Sequence, residues 1–162
     1  MKILAIDPGC TESAYVFLKE STLMPQKFDK CKNEELINIL NKLYMPEHVA
    51  IEMVASYGMA VGKEVFETCV WIGRFQEALI KNGAKNIQFV YRKDEKMNLC
   101  HSMKANDSNI RQALIDRFAH GVPNKGKGTV KSPGWFYGFK DDIWQSYAIG
   151  VTYHDMYIKG VV

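Results

Sequence analysis

Two short apolar runs in this chain each end on an acid. Lys2-Ile3-Leu4-Ala5-Ile6 runs into Asp7 before Pro8-Gly9, and Val49-Ala50-Ile51 runs into Glu52 before a glycine-bearing loop. A third acidic place, the adjacent pair Asp141 and Asp142, opens the last helical stretch. Carboxylates that converge with few cations among them repel one another, and the ordinary relief is a hard divalent ion bound through oxygen. Two such ions about 3.5 to 4 Å apart can activate water and stabilise the leaving oxygen in phosphodiester cleavage. Each acid also has a plainer use. Asp7 before Pro-Gly suits a turn, and one of Asp141 and Asp142 suits a helix N-cap or a favourable place on the helix dipole. Glu52 is harder to explain that way, since a charge closing an apolar strand tends not to be buried without a task.

The elements that must position these acids follow from patterning. Lys2 to Ile6 reads as a buried central strand and Ser13 to Leu18 as its hairpin partner across the Pro8-Gly9-Cys10-Thr11-Glu12 turn, with a third strand near Leu23 to Phe28. Asn33 with Glu34 and Glu35 starts a helix carrying Leu36, Ile37, Leu40 and Leu43, which ends before Pro46. Val49 to Glu52 is the next strand, Lys63 to Lys81 a long helix stopped by Asn82-Gly83, and Ile87 to Tyr91 a further strand. Arg92-Lys93-Asp94-Glu95-Lys96 reads as a mixed-charge turn. Asp107 or Ser108 caps a helix with Ile110, Ala113, Leu114 and Phe118. Ala119 to Phe139 has no periodicity and reads as a flexible functional loop, and Asp141 to Lys159 closes the chain as a helix. If the first and fourth strands are neighbours in a mostly parallel sheet, Asp7 and Glu52 stand at adjacent carboxyl ends, where open sheets hold their sites.

Composition narrows the classes. With 162 residues, 47% apolar and 24% charged, the chain can bury a core as a single domain over 1–162, and disorder is excluded. No stretch approaches the roughly 18 apolar residues of a membrane span and an acid interrupts any leader, so a soluble cytoplasmic protein is expected. Cys10, Cys31, Cys69 and Cys100 form no C-x-x-C pair and read as reduced thiols. The four histidines, His48, His101, His120 and His154, lack metal-ligand spacing. Net charge is only +3, yet Gly121 to Lys140 holds four lysines and no acid, which concentrates positive field on one side.

The first-strand motif Ile3-Leu4-Ala5-Ile6-Asp7-Pro8-Gly9, Val49-Ala50-Ile51-Glu52 on a later strand, and Lys140-Asp141-Asp142 opening a terminal helix with Ala148-Ile149-Gly150-Val151 together resemble the RuvC-like Holliday-junction resolvases of the RNase H-like superfamily. The Lys-Asp-Asp form looks more like phage or prophage members, in a bacterial or phage-infected cell. The resemblance implies an α/β, RNase H-like fold: a five-stranded mixed sheet, antiparallel hairpin strands first, flanked by helices. It implies a homodimer making paired symmetric nicks in branched DNA, with Mg²⁺ (Mn²⁺ substituting) and no nucleotide cofactor. Asp7 and Glu52 carry over as metal ligands. The terminal motif departs from the pattern of two acids three apart, since Asp142 at the first place puts Gln145 at the second, and Asp141 there puts Trp144. Asp142 beside Gln145 is taken as the third ligand and Asp141 as the fourth acid.

For DNA contacts the sequence offers Lys125, Lys127 and Lys131 in the glycine-rich loop, suited to phosphates; Arg92, Lys93 and Lys104 follow the fifth strand, where the resemblance implies basic residues near the scissile phosphate, and of these Lys104 is singled out. Tyr57, after Glu52, could stack on an unpaired base. Trp135, Phe136 and Tyr137 are consecutive and cannot all face one core. The stripe Val65, Phe66, Cys69, Val70, Ile72 and Leu79 is wide enough to pack on the sheet and on a second copy. Three other readings compete. An RNase H-type ribonuclease is one, and a junction-binding module without cleavage, suggested by Gln145, is another. The third is a phosphotransferase of the sugar-kinase and actin type, matched by Asp7-Pro8-Gly9-Cys10-Thr11 but needing two such domains.

Overall fold

The computed structural model describes residues 1–44 and 46–160. Lys2–Asp7 (β1) and Glu12–Lys19 (β2) form the hairpin, antiparallel, with Asp7 opposite Ala14. Pro25–Lys32 (β3) pairs antiparallel on the far side of β2. It starts later than the sequence suggested because Leu23 turns the chain with φ 61°. His48–Met53 (β4) runs parallel to β1, and Ile87–Tyr91 (β5) parallel to β4, giving the order β3-β2-β1-β4-β5. The sheet is thus the five-stranded mixed one. Parallel neighbours need crossovers, and Asn33–Lys42 (α1) and Lys63–Lys81 (α2) supply them.

Strand alternation divides the core into two layers. Leu4, Ile6, Tyr15, Phe17, Val49 and Ile51 face α1 and α2, where Leu36, Leu40, Ile72, Phe75 and Leu79 close over them. Ile3, Ala5, Val16, Leu18 and Ala50 face the other way, onto Ile143–Tyr153 (α5). All residues of α5 are buried except Gln145, as befits a helix apolar all round. It lies close to the sheet through Gly150, where a Cβ would come within 2.5 Å of Leu18 Cδ1 and 3.1 Å of Ala5 Cβ. Beyond Tyr153 the helix widens into a π-helical turn, His154–Ile158.

Two parts of the chain differ from the sequence reading. Arg92 to Lys96 is not a turn: Arg92–Cys100 (α3) is a helix that starts directly at the end of β5, with the Asp94 carboxylate accepting from the Tyr91 N–H at 2.9 Å. Its apolar stripe is too weak to read, because its one wholly buried side chain is an acid, Glu95. Asp107–Phe118 (α4) follows, capped not by Asp107 or Ser108 but by Asn106, which exchanges side-chain bonds with Asn109 at 3.0 Å.

The 119–139 segment is not a loose loop either. Phe136 and Phe139 are buried against Trp144 and Tyr147, and the Trp135 Nε1–H donates to the Tyr147 hydroxyl at 2.9 Å. Of the three consecutive aromatics Phe136 is core, Trp135 half-buried and Tyr137 exposed. Gly126, at φ 81°, leaves no room for a Cβ between Ala119 and Phe136. Among the described residues no helix is long and apolar enough to cross a membrane.

Candidate active site

Asp7 and Glu52 continue the odd and even faces that carry Ala5 and Ala50, so both point to the α5 side of the sheet. The parallel register pairs Ile6 with Ile51, which sets the next residues, Asp7 and Glu52, side by side at the carboxyl ends of β1 and β4. The start of α5 faces them across a cavity of about 410 Å³. Its lining includes Asp7, Glu52, Arg92, Arg111, Asp142 and Gln145, together with Asp107, Asp141 and Trp144. An open sheet whose central strands deliver carboxylates to their carboxyl edge is the usual place for such a cavity.

The acids there are electrostatically uncomfortable. Burial, and then the charge of the neighbouring Glu52, push Asp7 well above the ordinary carboxylate range. Glu52 is itself raised, chiefly by burial, while the Arg92 charge pulls the other way. Glu95, wholly buried on α3, is raised well above its usual value by burial and by Glu52. Two neighbouring carboxyls that each make the other harder to ionise form a donor pair that a hard divalent cation fits, since its charge removes the repulsion.

The other acids are held differently. Asp142 occupies the N-cap position of α5 without capping it; its carboxylate takes an ion pair from Lys30 on β3 at 2.7 Å. Asp141 is exposed on the same rim with φ 42°. Neither side chain bonds a backbone N–H of the first turn, so the plainer reading of either as a helix cap is not what the fold uses. Among the described residues no three carboxylate, imidazole or thiolate groups gather closely enough to surround a metal ion. Asp7 and Glu52, side by side at the strand ends, are the pair that could hold one, with Asp142 lining the same cavity but turned to Lys30.

Gln145 is the hub of the site. Its amide nitrogen donates to Glu95 and, at 3.4 Å, to Glu52, while Arg92 donates to its carbonyl oxygen. Arg92 also pairs with Glu95 at 2.8 Å and with Asp107. Arg92, Glu95, Arg111 and Lys30 were not singled out as site residues from the sequence. A signal for Glu95 existed: β5 lies beside β4, so the first helical turn after β5 reaches the same edge as Asp7 and Glu52.

The residues expected to touch DNA lie elsewhere. Lys104 is exposed between α3 and α4, and Tyr57 is exposed in the β4–α2 loop with φ 47°. Lys125 and Lys131 are exposed on the 119–139 segment and Lys127 is half-buried there. None of the five lines the carboxylate cavity. On α2, Ile72 and Leu79 are buried against the sheet, whereas Phe66 and Val70 are 61% and 63% exposed.

Sheet order, the hairpin-first topology and the buried helix behind the sheet define an RNase H-like fold of the RuvC type. Two solved structures match it over nearly their whole length. Thermus thermophilus RuvC aligns with a TM-score of 0.71 at 14% identity, covering 99% of this chain and 97% of that one. T. thermophilus RuvC in complex with Holliday junction substrate aligns with a TM-score of 0.69, again at 14% identity, covering 99% and 96%. By sequence, no protein-family profile and no curated protein matches the chain.

Proposed function

We propose that this chain is a metal-dependent, structure-selective endodeoxyribonuclease that resolves four-way or other branched DNA junctions by paired nicks. The observation that carries the reading is the Asp7–Glu52 carboxyl pair, half-buried side by side at the strand ends and lining a cavity, on a fold matched by RuvC bound to a junction. A bound Mg²⁺ or Mn²⁺ would supply a polarised water and a counter-charge for the leaving oxygen. Asp7 and Glu52 would hold it, with Asp142 free to join if Lys30 releases it. Gln145 and Arg92 keep Glu52 and Glu95 apart and oriented. Lys104, Lys125, Lys127 and Lys131 would take phosphates farther along the arms, and Tyr57 would stack at the crossover. We further assign the chain to the phage or prophage branch, as a single domain that pairs through the exposed Phe66 and Val70 of α2.

One observation favours a second reading, a module that binds junctions without cutting: the last helix presents Gln145 where the resemblance calls for an acid. A labelled four-way junction, a linear duplex and an RNA–DNA hybrid, each with Mg²⁺, Mn²⁺ or chelator, separate the cases. Symmetric metal-dependent nicks confined to the junction and lost in Asp7→Asn are expected. Tight binding with no nicks in any metal would establish the second reading instead, and cleavage of the hybrid would make the protein a ribonuclease.

A further inference from the structure

The cavity holds more anion than free cation. Of the two arginines lining it, Arg92 is taken up by Glu95, Asp107 and Gln145. Nearby Lys30 is taken up by Asp142. Arg111, one turn into α4, makes no ion pair or side-chain hydrogen bond among the described residues. Its guanidinium carbon stands 5.2 Å from the Trp144 ring centroid, and its Nε is removed from water with no hydrogen-bond partner. A cation–π contact at this distance holds a guanidinium near the ring without neutralising it. With no carboxylate to neutralise it, Arg111 leaves a positive charge on the cavity lining, and that charge is suited to an anion that arrives from outside.

What anion follows from the surroundings. Asp7, Glu52, Asp141 and Asp142 share the cavity and would repel a nucleic-acid strand laid across it. The guanidinium fork matches the two non-bridging oxygens of a phosphodiester. We propose that Arg111 is a phosphate-binding residue that holds the backbone of the bound DNA strand against the acidic pair, with Trp144 as its platform. The proposal deepens the nuclease reading and rests on it for the identity of the strand.

The test is equilibrium binding of a four-way junction and of a plain duplex by the full chain, without divalent metal, over a salt series. Wild type is compared with Arg111→Gln, which keeps the stem over Trp144, and with Arg111→Lys. Arg111→Gln is expected to weaken binding about tenfold at low salt and to flatten log K against log salt by about 0.9, one phosphate contact. Arg111→Lys should keep the slope and recover only part of the affinity, since an ammonium cannot reproduce the fork. An unchanged slope in Arg111→Gln would overturn the proposal and leave Arg111 a packing residue. Failure of the nuclease reading would look different: wild type would cut no junction when metal is added, while the slope change could still be read on duplex DNA.

Discussion

The molecule holds buried or half-buried carboxylates in two places, one at each end of the α5 rod, and treats them in opposite ways. At the far end Asp155, on the π-helical turn, accepts from both Arg117 nitrogens at 2.6 and 2.9 Å and from Asn98 at 3.0 Å. Burial raises its pKa, but those donors outweigh it and hold the carboxyl below its usual value. At the near end Asp7, Glu52 and Glu95 have too few donors; Glu95 Oε1 has none, and all three are raised. A carboxylate that only joins helices is given its counter-charge by the fold. One left short of it in an open cavity is arranged for a charge that comes and goes.

The sharpest way to break this contrast is Asp7→Asn. If the near cluster awaits a cation, cleavage should fall by about 10³-fold, several kcal/mol of lost transition-state stabilisation. The metal-free protein should melt no lower than wild type, because the amide removes one of two carboxyls that resist ionising beside each other. A clear drop in melting temperature would mean that the near cluster, too, is structural.

The opposite result is expected at the far end. Asp155→Ala should leave junction cleavage within about twofold and cost roughly 2 kcal/mol of stability in denaturant melts. That is less than a wholly buried pair because the Arg117 side chain is 34% exposed.

The two ends should also respond oppositely to pH. Asp7 carries a raised folded-state value, so its contribution is complete below the ordinary 3.8 and is lost as pH rises through the folded value. Asp155 carries a lowered one, so its contribution is present above 3.8 and is lost as pH falls through the folded value. Metal-free wild type should therefore lose stability relative to Asp7→Asn as pH is raised from acid towards neutral, and Mn²⁺ should cancel the loss.

A smaller effect separates the two readings of Gln145. Gln145→Glu sets a third acid against Glu52 and Glu95 and should cost about 1–2 kcal/mol without metal. Recovery of that loss by Mn²⁺, measured by calorimetric melting, would show that the site can use an acid there; no recovery would make the glutamine essential as a donor. Smallest of all, Trp135→Phe should cost about 0.5–1 kcal/mol, one hydrogen bond to a hydroxyl that still donates to the Leu23 carbonyl at 3.0 Å.

Much of the frame was legible because it is written in local periods. β1 and β4 are short unbroken apolar runs and α2 repeats at helical spacing, and strands ending in Asp7 and Glu52 advertise a carboxyl-edge site. What was not legible is non-local or contrary to hydropathy. α3 hides because its inward residue is Glu95, so the helix that completes the site has the profile of a turn. Lys30 meets Asp142 from an edge strand over a hundred residues away, and no spacing announces such a pair. The 119–139 segment has no period because glycine packing and single aromatic anchors order it, rather than a repeating face.

The close seat of α5 at Gly150 has a mechanical consequence. Asp142 and Gln145 ride on the same rigid rod, so the gap between them and the strand-borne acids is gauged two turns away, by the absence of a methyl group. An alanine at 150 would act as a wedge under that rod. With Leu18 and Ala5 unable to recede far, the whole N-terminal end would tip away from the sheet, and the acids would part without any of them having been changed.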